Sequence, residues 1–260
     1  MAFTFETTLY RNLGTRVSKT TDLTAANLVA GFTAPSGTAN AATVASLAAF
    51  NDAGYILTAL SGEEPIKQTR DGLAVLRGDG TKVMRLTTGT LPGTPAFSVA
   101  LRIWFPAADP TMDVATSHIL SGFNDGGDDV ASVTAQTTVV TASSLTRQFF
   151  RLAYGADEDE GSETATLLDG RDFLDFEDQW ASVIYTKATD GVWLTWEGGG
   201  HSRTTFVASD TLTVTNNDFF LFSRSGTASA NLDIRHAWIF SGNVHSDPDD
   251  VKTIALALRT

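Results

Sequence analysis

The order of apolar and polar residues from Gln68 onward is typical of short β-strands separated by turns. Residues 97–105, FSVALRIWF, alternate strictly, which places the apolar residues at odd positions on one face and Trp104 on the other. This alternation predicts a strand that is buried on one face only. Further strand-like runs lie at 117–123, 147–155, 180–187, 191–199, 211–217, 218–224 and 232–240. Many short strands without an internal repeat favour an all-β, two-sheet sandwich.

Two segments predict β-hairpins. In residues 71–86, DGLAVLRGDGTKVMRL, an apolar run is followed by Gly-Asp-Gly and a second alternating run. In residues 188–191, the sequence Ala-Thr-Asp-Gly links two strand-like runs closely. Turns rich in Asp and Gly supply the left-handed backbone that tight hairpins need.

The last segment, residues 247–260, changes from a period of two to one of three and four. Asp247 is suited to cap a helix, Pro248 to its first position, and further acids follow in the first turn. We therefore predict one short C-terminal helix.

Residues 1–65 have a different composition from the rest. Residues 24–51 are crowded with Ala, Thr, Gly and Ser, and residues 41–50 could form a short helix. Two alternatives fit. In the first, residues 1–65 form an N-terminal arm that docks on a partner, and residues 66–260 form the sandwich domain. In the second, they are ordinary strands and loops packed on that domain. Removing residues 1–60 leaves a folded domain only in the first case.

Composition and charge restrict the classes of function. The net charge of −12 argues against nucleic-acid binding, which needs a positive surface. The absence of cysteine excludes a disulfide scaffold and disfavours a zinc site. No window has the apolar length of a membrane span, and residues 1–17 show no export signal, so we expect no membrane insertion.

The strand order resembles the concanavalin A-like lectin/glucanase superfamily, a laminin G-like jelly roll. The similarity runs from Asp71 to the end and is most pronounced in QWASVIYTKATDGVWLTWEGGG, residues 179–200, where Trp180, Asp190, Gly191 and Gly198 occupy the family's positions. Residues 231–254 resemble its last strand, loop and short helix. The resemblance implies a two-sheet antiparallel jelly roll that binds or cleaves glycans, with calcium often held at the rim.

An active site is not evident in the sequence. Retaining glucanases of this superfamily carry their carboxylates on one strand as Glu-x-Asp-x-Glu, whereas residues 156–161, ADEDEG, have consecutive acids typical of a solvated loop. Residues 157–178 contain ten acids and one base, Arg171, so they carry −9 of the net charge of −12. A solvated segment, a calcium site and catalysis are the alternatives there. We expect the protein not to be an enzyme.

Two further groups of residues are candidates for binding. Calcium could be held by the oxygens of the acidic loop 123–130, that is, by Asn124, Asp125, Asp128 and Asp129. A plain Asn-Asp-Gly-Gly turn explains the same residues without a metal. Trp193 and Trp196 could stack on a sugar ring, although packing within the sheet is the alternative for both.

Three functions remain after these considerations. The first is a structural or adhesion protein of a tailed-phage particle, such as a capsid decoration, head-fibre or tail-fibre component on the virion surface. Its N-terminal segment would bind other virion proteins, and its lectin-like module would bind host glycans. A homotrimer would suit a fibre, although the sequence has no coiled-coil heptads. The second is a carbohydrate-binding module of a secreted or cell-surface protein, and the third is a glycoside hydrolase.

Overall fold

The structure, a computed structural model, describes residues 3–10, 16–23, 28–37, 39–89, 96–105, 114–122, 132–142, 145–155, 163–168, 179–188, 191–196, 201–205, 219–224, 227–228 and 231–260. Within these ranges two antiparallel sheets pack face to face, and a short C-terminal helix covers the outer surface of one of them. The predicted all-β sandwich is confirmed. No helix in the described ranges has both the length and the apolar character needed to cross a membrane.

The strands are numbered in chain order. The first ten are β1 (Phe3–Tyr10), β2 (Arg16–Leu23), β3 (Leu28–Thr33), β4 (Ser46–Ala48), β5 (Ile56–Ala59), β6 (Ile66–Arg70), β7 (Leu73–Asp79), β8 (Met84–Thr88), β9 (Phe97–Phe105) and β10 (Val114–Gly122). The remaining ones are β11 (Ser132–Ala142), β12 (Leu145–Gly155), β13 (Glu163–Leu168), β14 (Gln179–Ala188), β15 (Gly191–Trp196), β16 (His201–Thr205), β17 (Phe220–Leu221), β18 (Ser223–Arg224), β19 (Thr227–Ala228) and β20 (Asn231–Ser241). A 3₁₀ turn (Val244–Ser246) and helix α1 (Pro248–Ala257) follow.

Two large sheets contain most of these strands. The back sheet has the order β16-β15-β14-β9-β20-β7-β6, and β3 also pairs with β20. The front sheet has the order β13-β12-β11-β10-β17-β8-β5-β4. Strands β1 and β2 pair with each other in a separate two-stranded ribbon, and β1 lies against α1. The ribbon is therefore distinct from the two sheets of the sandwich.

One of the two predicted hairpins is correct. Strands β14 and β15 pair with Ala188 opposite Gly191, as the Ala-Thr-Asp-Gly sequence predicted. The hairpin predicted in residues 71–86 is wrong, because β7 lies in the back sheet and β8 in the front sheet. Gly78 and Asp79 end β7, and residues 80–83 instead cross to the other sheet, so Leu76 and Met84 enter the core from facing sheets.

The hairpin in this region lies one turn earlier. Strands β6 and β7 pair through a two-residue turn at Asp71 and Gly72, whose φ angles are 47° and 79°. Two successive left-handed residues are the signature of the type I′ turn, whose twist matches that of the flanking strands. The turn brings Asp71 to the edge of the outer surface of the back sheet.

Residues 28–65 are part of the sandwich. Strand β3 pairs with β20 in the back sheet, while β4 and β5 extend the front sheet beside β8. Phe32 and Leu57 are fully buried in the shared core. For these residues the structure agrees with the second alternative, ordinary strands packed on the domain. A domain boundary at residue 65 and a docking role for the N-terminus stay predictions.

The short helix expected in residues 41–50 is wrong. Ser46–Ala48 form β4, which pairs with β5, and the backbone N–H of Ala49 donates to Tyr55 O at 2.9 Å. Helix propensity is a weak local preference that tertiary contacts override. Here Val44 and Ala49 are buried in the core, which an extended chain reaches and a helix would not.

Strand β9 is buried on both faces, not on one as its alternation predicted. Phe97, Val99, Leu101 and Ile103 enter the core between the sheets. Ala100, on the other face, packs with Ile184, Trp238 and Ile254 beneath α1.

The predicted C-terminal helix is present. Asp247 caps it by accepting a hydrogen bond from the Asp249 backbone N–H at 2.8 Å. The outer surface of the back sheet is thus half covered, and α1 forms a wall above it.

Candidate functional site

An open groove of about 290 Å³ lies where α1 crosses the outer surface of β14 and β15. Its floor comes from the two strands, and its wall comes from one face of α1 and from Arg259, which follows the helix by two positions. The lining residues are Ser182, Ile184, Thr195, Val251, Lys252, Ala255, Leu256 and Arg259. The groove thus combines apolar walls, two hydroxyls on the floor, and one cationic side chain on the helix with another just after it.

An aromatic and cationic stack adjoins the floor of the groove. The guanidinium of Arg102 donates to Ser182 Oγ at 2.9 Å and lies 5.2 Å from the centre of the Trp180 ring. The indole N–H of Trp180 donates to Asp71 Oδ2 at 3.0 Å, and Trp104 contacts the ring edge-to-face at 5.3 Å. Cation–π and edge-to-face contacts of this kind fix a ring in place. Trp180 is therefore a rigid, partly exposed indole beside the groove.

Positive charge accumulates on the sheet beneath the end of α1. Arg102 is 8% exposed, and the half-buried Arg235 donates to Thr260 O at 2.7 Å and to Ala74 O at 3.3 Å. Burial lowers the pKa of the Arg235 guanidinium, and the charge of Arg102 lowers it further. The pKa of His236 is lowered to about 3, mainly by burial and to a smaller extent by the positive charges of Arg235 and Arg102. His236 is hence neutral at physiological pH.

The other side of the floor is held by a chain of hydroxyls. His245 contacts Thr195 Oγ1 at 2.8 Å through Nε2 and Thr186 Oγ1 at 2.6 Å through Nδ1. Thr186 in turn bonds to the buried Ser98 Oγ at 2.7 Å. These bonds fix the side chain of Thr195, so both hydroxyls of the groove are held in place by residues outside it.

The buried carboxylate of this sheet is bound by arginines. Asp233 has no exposed side-chain surface and accepts from Arg70 Nε at 2.6 Å and from Arg77 at 3.2 Å. Its two oxygens thereby connect β20 to side chains of β6 and β7 in the same sheet. Asp233 therefore has a structural role.

The structure locates the two tryptophans predicted to stack on a sugar, whereas the predicted calcium ligands fall outside the described residues. Trp193 is buried, with 6% of its surface exposed, so its ring does not offer a face to a sugar, and packing within the sheet is the alternative that fits it. Trp196 is the last residue of β15. The calcium candidates Asn124, Asp125, Asp128 and Asp129 lie outside the described residues. Within the described ranges no three His, Cys, Asp or Glu side chains are grouped as a metal site.

The residues around the groove were not identified as a site from the sequence. The sequence marks Trp180 only as a position of the family resemblance, and it places Lys252 and Arg259 only in the segment predicted to be a helix. A weak signal existed in FSVALRIWF, where Arg102 shares the outward parity of Trp104. An arginine at an outward position near a tryptophan indicates that this face of the sheet makes side-chain contacts and is not simply exposed to solvent.

Comparisons with known proteins show a shared fold. No protein-family model and no curated protein matches the chain. The enzymatically active domain of tailspike protein 2 from bacteriophage CBA120 is similar in structure, with a TM-score of 0.50 and 13% identity over 75% of this chain. The receptor binding domain of botulinum neurotoxin D has a TM-score of 0.56 and 12% identity over 89% of this chain. The serotype D ligand binding domain in complex with N-acetylneuraminic acid has a TM-score of 0.58 and 12% identity, again over 89%.

The matched regions are parts of longer chains. This chain spans 29% of the tailspike domain and about half of the toxin domains, namely 52% and 51%. Identities this low show the fold alone. The chain is a jelly-roll-like β-sandwich, a fold shared by proteins that differ in function.

Proposed function

We propose that this chain is a non-enzymatic structural or adhesion protein of a tailed-phage particle, in which a concanavalin A-like sandwich is displayed on the virion surface. The observation that carries the proposal is the β1–β2 ribbon, which lies outside both sheets of the sandwich. A two-stranded ribbon is marginally stable alone in water, and β1 contacts the rest of the described chain at α1. Such an element suits attachment of a folded module to an assembly.

The pairing register aligns apolar residues of the two ribbon strands at their ends. Phe3 is opposite Leu23 and Leu9 is opposite Val17, whereas Thr7 is opposite Lys19 between them. We assign this ribbon to contact with another protein of the particle.

The similar structures support the same proposal. The phage tailspike shows that this sandwich occurs in a protein of a phage tail, and the toxin domain in complex with N-acetylneuraminic acid shows that it occurs in proteins that bind sugars. The resemblance of residues 179–200 to lectin-like jelly rolls supports a binding module as well.

The second candidate function is a carbohydrate-binding module of a secreted or cell-surface protein. The groove beside α1 favours it, since hydroxyls, cations and apolar walls converge there. The two candidates share a binding sandwich and differ in the ribbon, which has a docking role only in the particle.

The ribbon provides the test. Particles are assembled with the full chain, with a chain lacking residues 1–23, or with one of two double variants, and are then sedimented. The variant Phe5→Asp with Leu9→Asp replaces two apolar residues of β1 by charged ones, and its matched control, Thr4→Asp with Thr8→Asp, adds the same charges at two polar residues of the same strand. We expect the truncation and the first variant to remain folded by circular dichroism and to be lost from the particle fraction. Retention of both at full occupancy would refute the docking role.

A further inference from the structure

We propose that the groove between α1 and β14–β15 binds a carboxylate-bearing sugar unit of an acidic glycan. This inference rests on the proposed adhesion function and specifies its ligand. The volume of about 290 Å³ is at the lower end of the range, roughly 300–1,000 Å³, that small-molecule sites occupy. A groove of this size and openness accommodates one sugar ring and leaves the rest of a glycan in solvent.

The walls match the mixed surface of a sugar ring. The half-buried Val251 and Leu256 on the helix supply apolar surface for ring carbons, whereas Ile184 and Ser182 on the floor are each 1% exposed. The half-buried Thr195 supplies a hydroxyl that donates or accepts a hydrogen bond. Since His245 holds this hydroxyl, little side-chain freedom is lost when a ligand binds.

The charge of the groove selects for an acid. Lys252 on α1 and Arg259, two residues beyond the end of α1, both line the groove and are positively charged. Asp249 pairs with Lys252 at 3.3 Å, but both side chains are 73% exposed, so this ion pair is weak and exchangeable. The residues that line the groove include no acid, so an anionic ligand is attracted there although the net charge of the chain is −12.

A carboxylate fits this arrangement better than a neutral hydroxyl. Arginine donates two parallel hydrogen bonds to a carboxylate, and lysine adds a second point of positive charge. A carboxylate seated between these two cations would direct the ring toward the Thr195 hydroxyl on the floor. The chemical class is therefore a uronic or sialic acid.

The test compares matched pairs of free sugars with the full-length chain. The probes are a glucuronic acid-terminated disaccharide with its glucose counterpart, and sialyllactose with lactose, each titrated by calorimetry. We expect at least one acidic sugar to bind about tenfold or more tighter than its neutral partner, as loss of a charge-assisted contact predicts. Raised salt should weaken this binding, because the attraction is partly screened.

Variants assign the binding to the groove. Arg259→Gln should weaken acidic-sugar binding about tenfold, and Ala255→Phe should abolish it by filling the groove. Lys82→Gln removes one cation that does not line the groove and should leave binding unchanged. Circular dichroism checks that each variant is folded.

The inference is overturned if neither acidic sugar saturates at millimolar concentration, if acidic and neutral sugars bind equally, or if Arg259→Gln and Ala255→Phe bind like the unmodified chain. Particle sedimentation does not involve the groove. A chain that stays in the particle fraction without binding acidic sugars would therefore leave the proposed function standing and remove only its ligand.

Discussion

Replacing Leu57 by alanine tests whether residues 28–65 are part of the sandwich. Leu57 is 0% exposed, lies on β5 and is opposite Leu86 of β8 in the front sheet. Truncating a fully buried leucine removes its transfer free energy and leaves a cavity, which together cost about 3 kcal/mol and range from about 2 to 5. For a domain of this size the melting temperature should fall by about 6 to 12 °C.

The adjacent residue supplies a matched control. Thr58 lies next to Leu57 on β5, and its hydroxyl bonds to Thr87 Oγ1 at 2.7 Å on the exposed side of the sheet. We expect Thr58→Ala to cost less than about 1 kcal/mol, because water replaces an exposed hydrogen bond. Urea unfolding followed by tryptophan fluorescence measures both changes. Equal, small effects of the two substitutions would show that β5 does not belong to the core.

Other substitutions and pH test separate parts of the fold. Asp233→Ala should lower the free energy of unfolding by about 2 to 4 kcal/mol, because it leaves Arg70 and Arg77 without the carboxylate they share. Urea unfolding measures this change, and a decrease of less than about 0.5 kcal/mol would contradict the buried ion pair. Gly72→Ala should cost about 1 to 2 kcal/mol, because its φ of 79° is left-handed, whereas Gly37→Ala, which meets no atom within 4 Å, serves as the neutral control in thermal melts. Since the pKa of His236 is lowered to about 3 in the fold, protonation in the unfolded chain should reduce stability as the pH falls below about 6.5, and replacing His236 by glutamine should flatten this slope. NMR should show no titration of His236 between about pH 5 and 8, and a midpoint near 6.5 would refute its burial.

Local patterns predicted the elements whose signals are confined to a few adjacent residues. Helix α1 followed from its period and from Asp247 and Pro248, and its cap is present. The β14–β15 hairpin followed from Ala-Thr-Asp-Gly, because a tight turn is specified by the residues within it. Such elements need no knowledge of the rest of the chain.

Other features depend on contacts between distant segments. Gly-Asp-Gly allows a hairpin and a crossing between sheets equally well, and only the partners of β7 and β8 decide between them. The Ala-rich residues before Phe50 became a strand because β5 was available to pair with them. The groove brings Ser182 and Thr195 to Lys252 and Arg259, which no local pattern relates. Residues 124–129 lie outside the described ranges, so the calcium site stays a prediction.

The copy number of this chain in purified particles tests the central proposal most directly. Native particles are banded on a density gradient, and the chain is quantified by mass spectrometry against the major capsid protein. A particle component should appear in the band at a fixed ratio that does not change with further washing or between preparations. Recovery of the chain only from the soluble fraction would contradict a virion location and favour the secreted or cell-surface binding module.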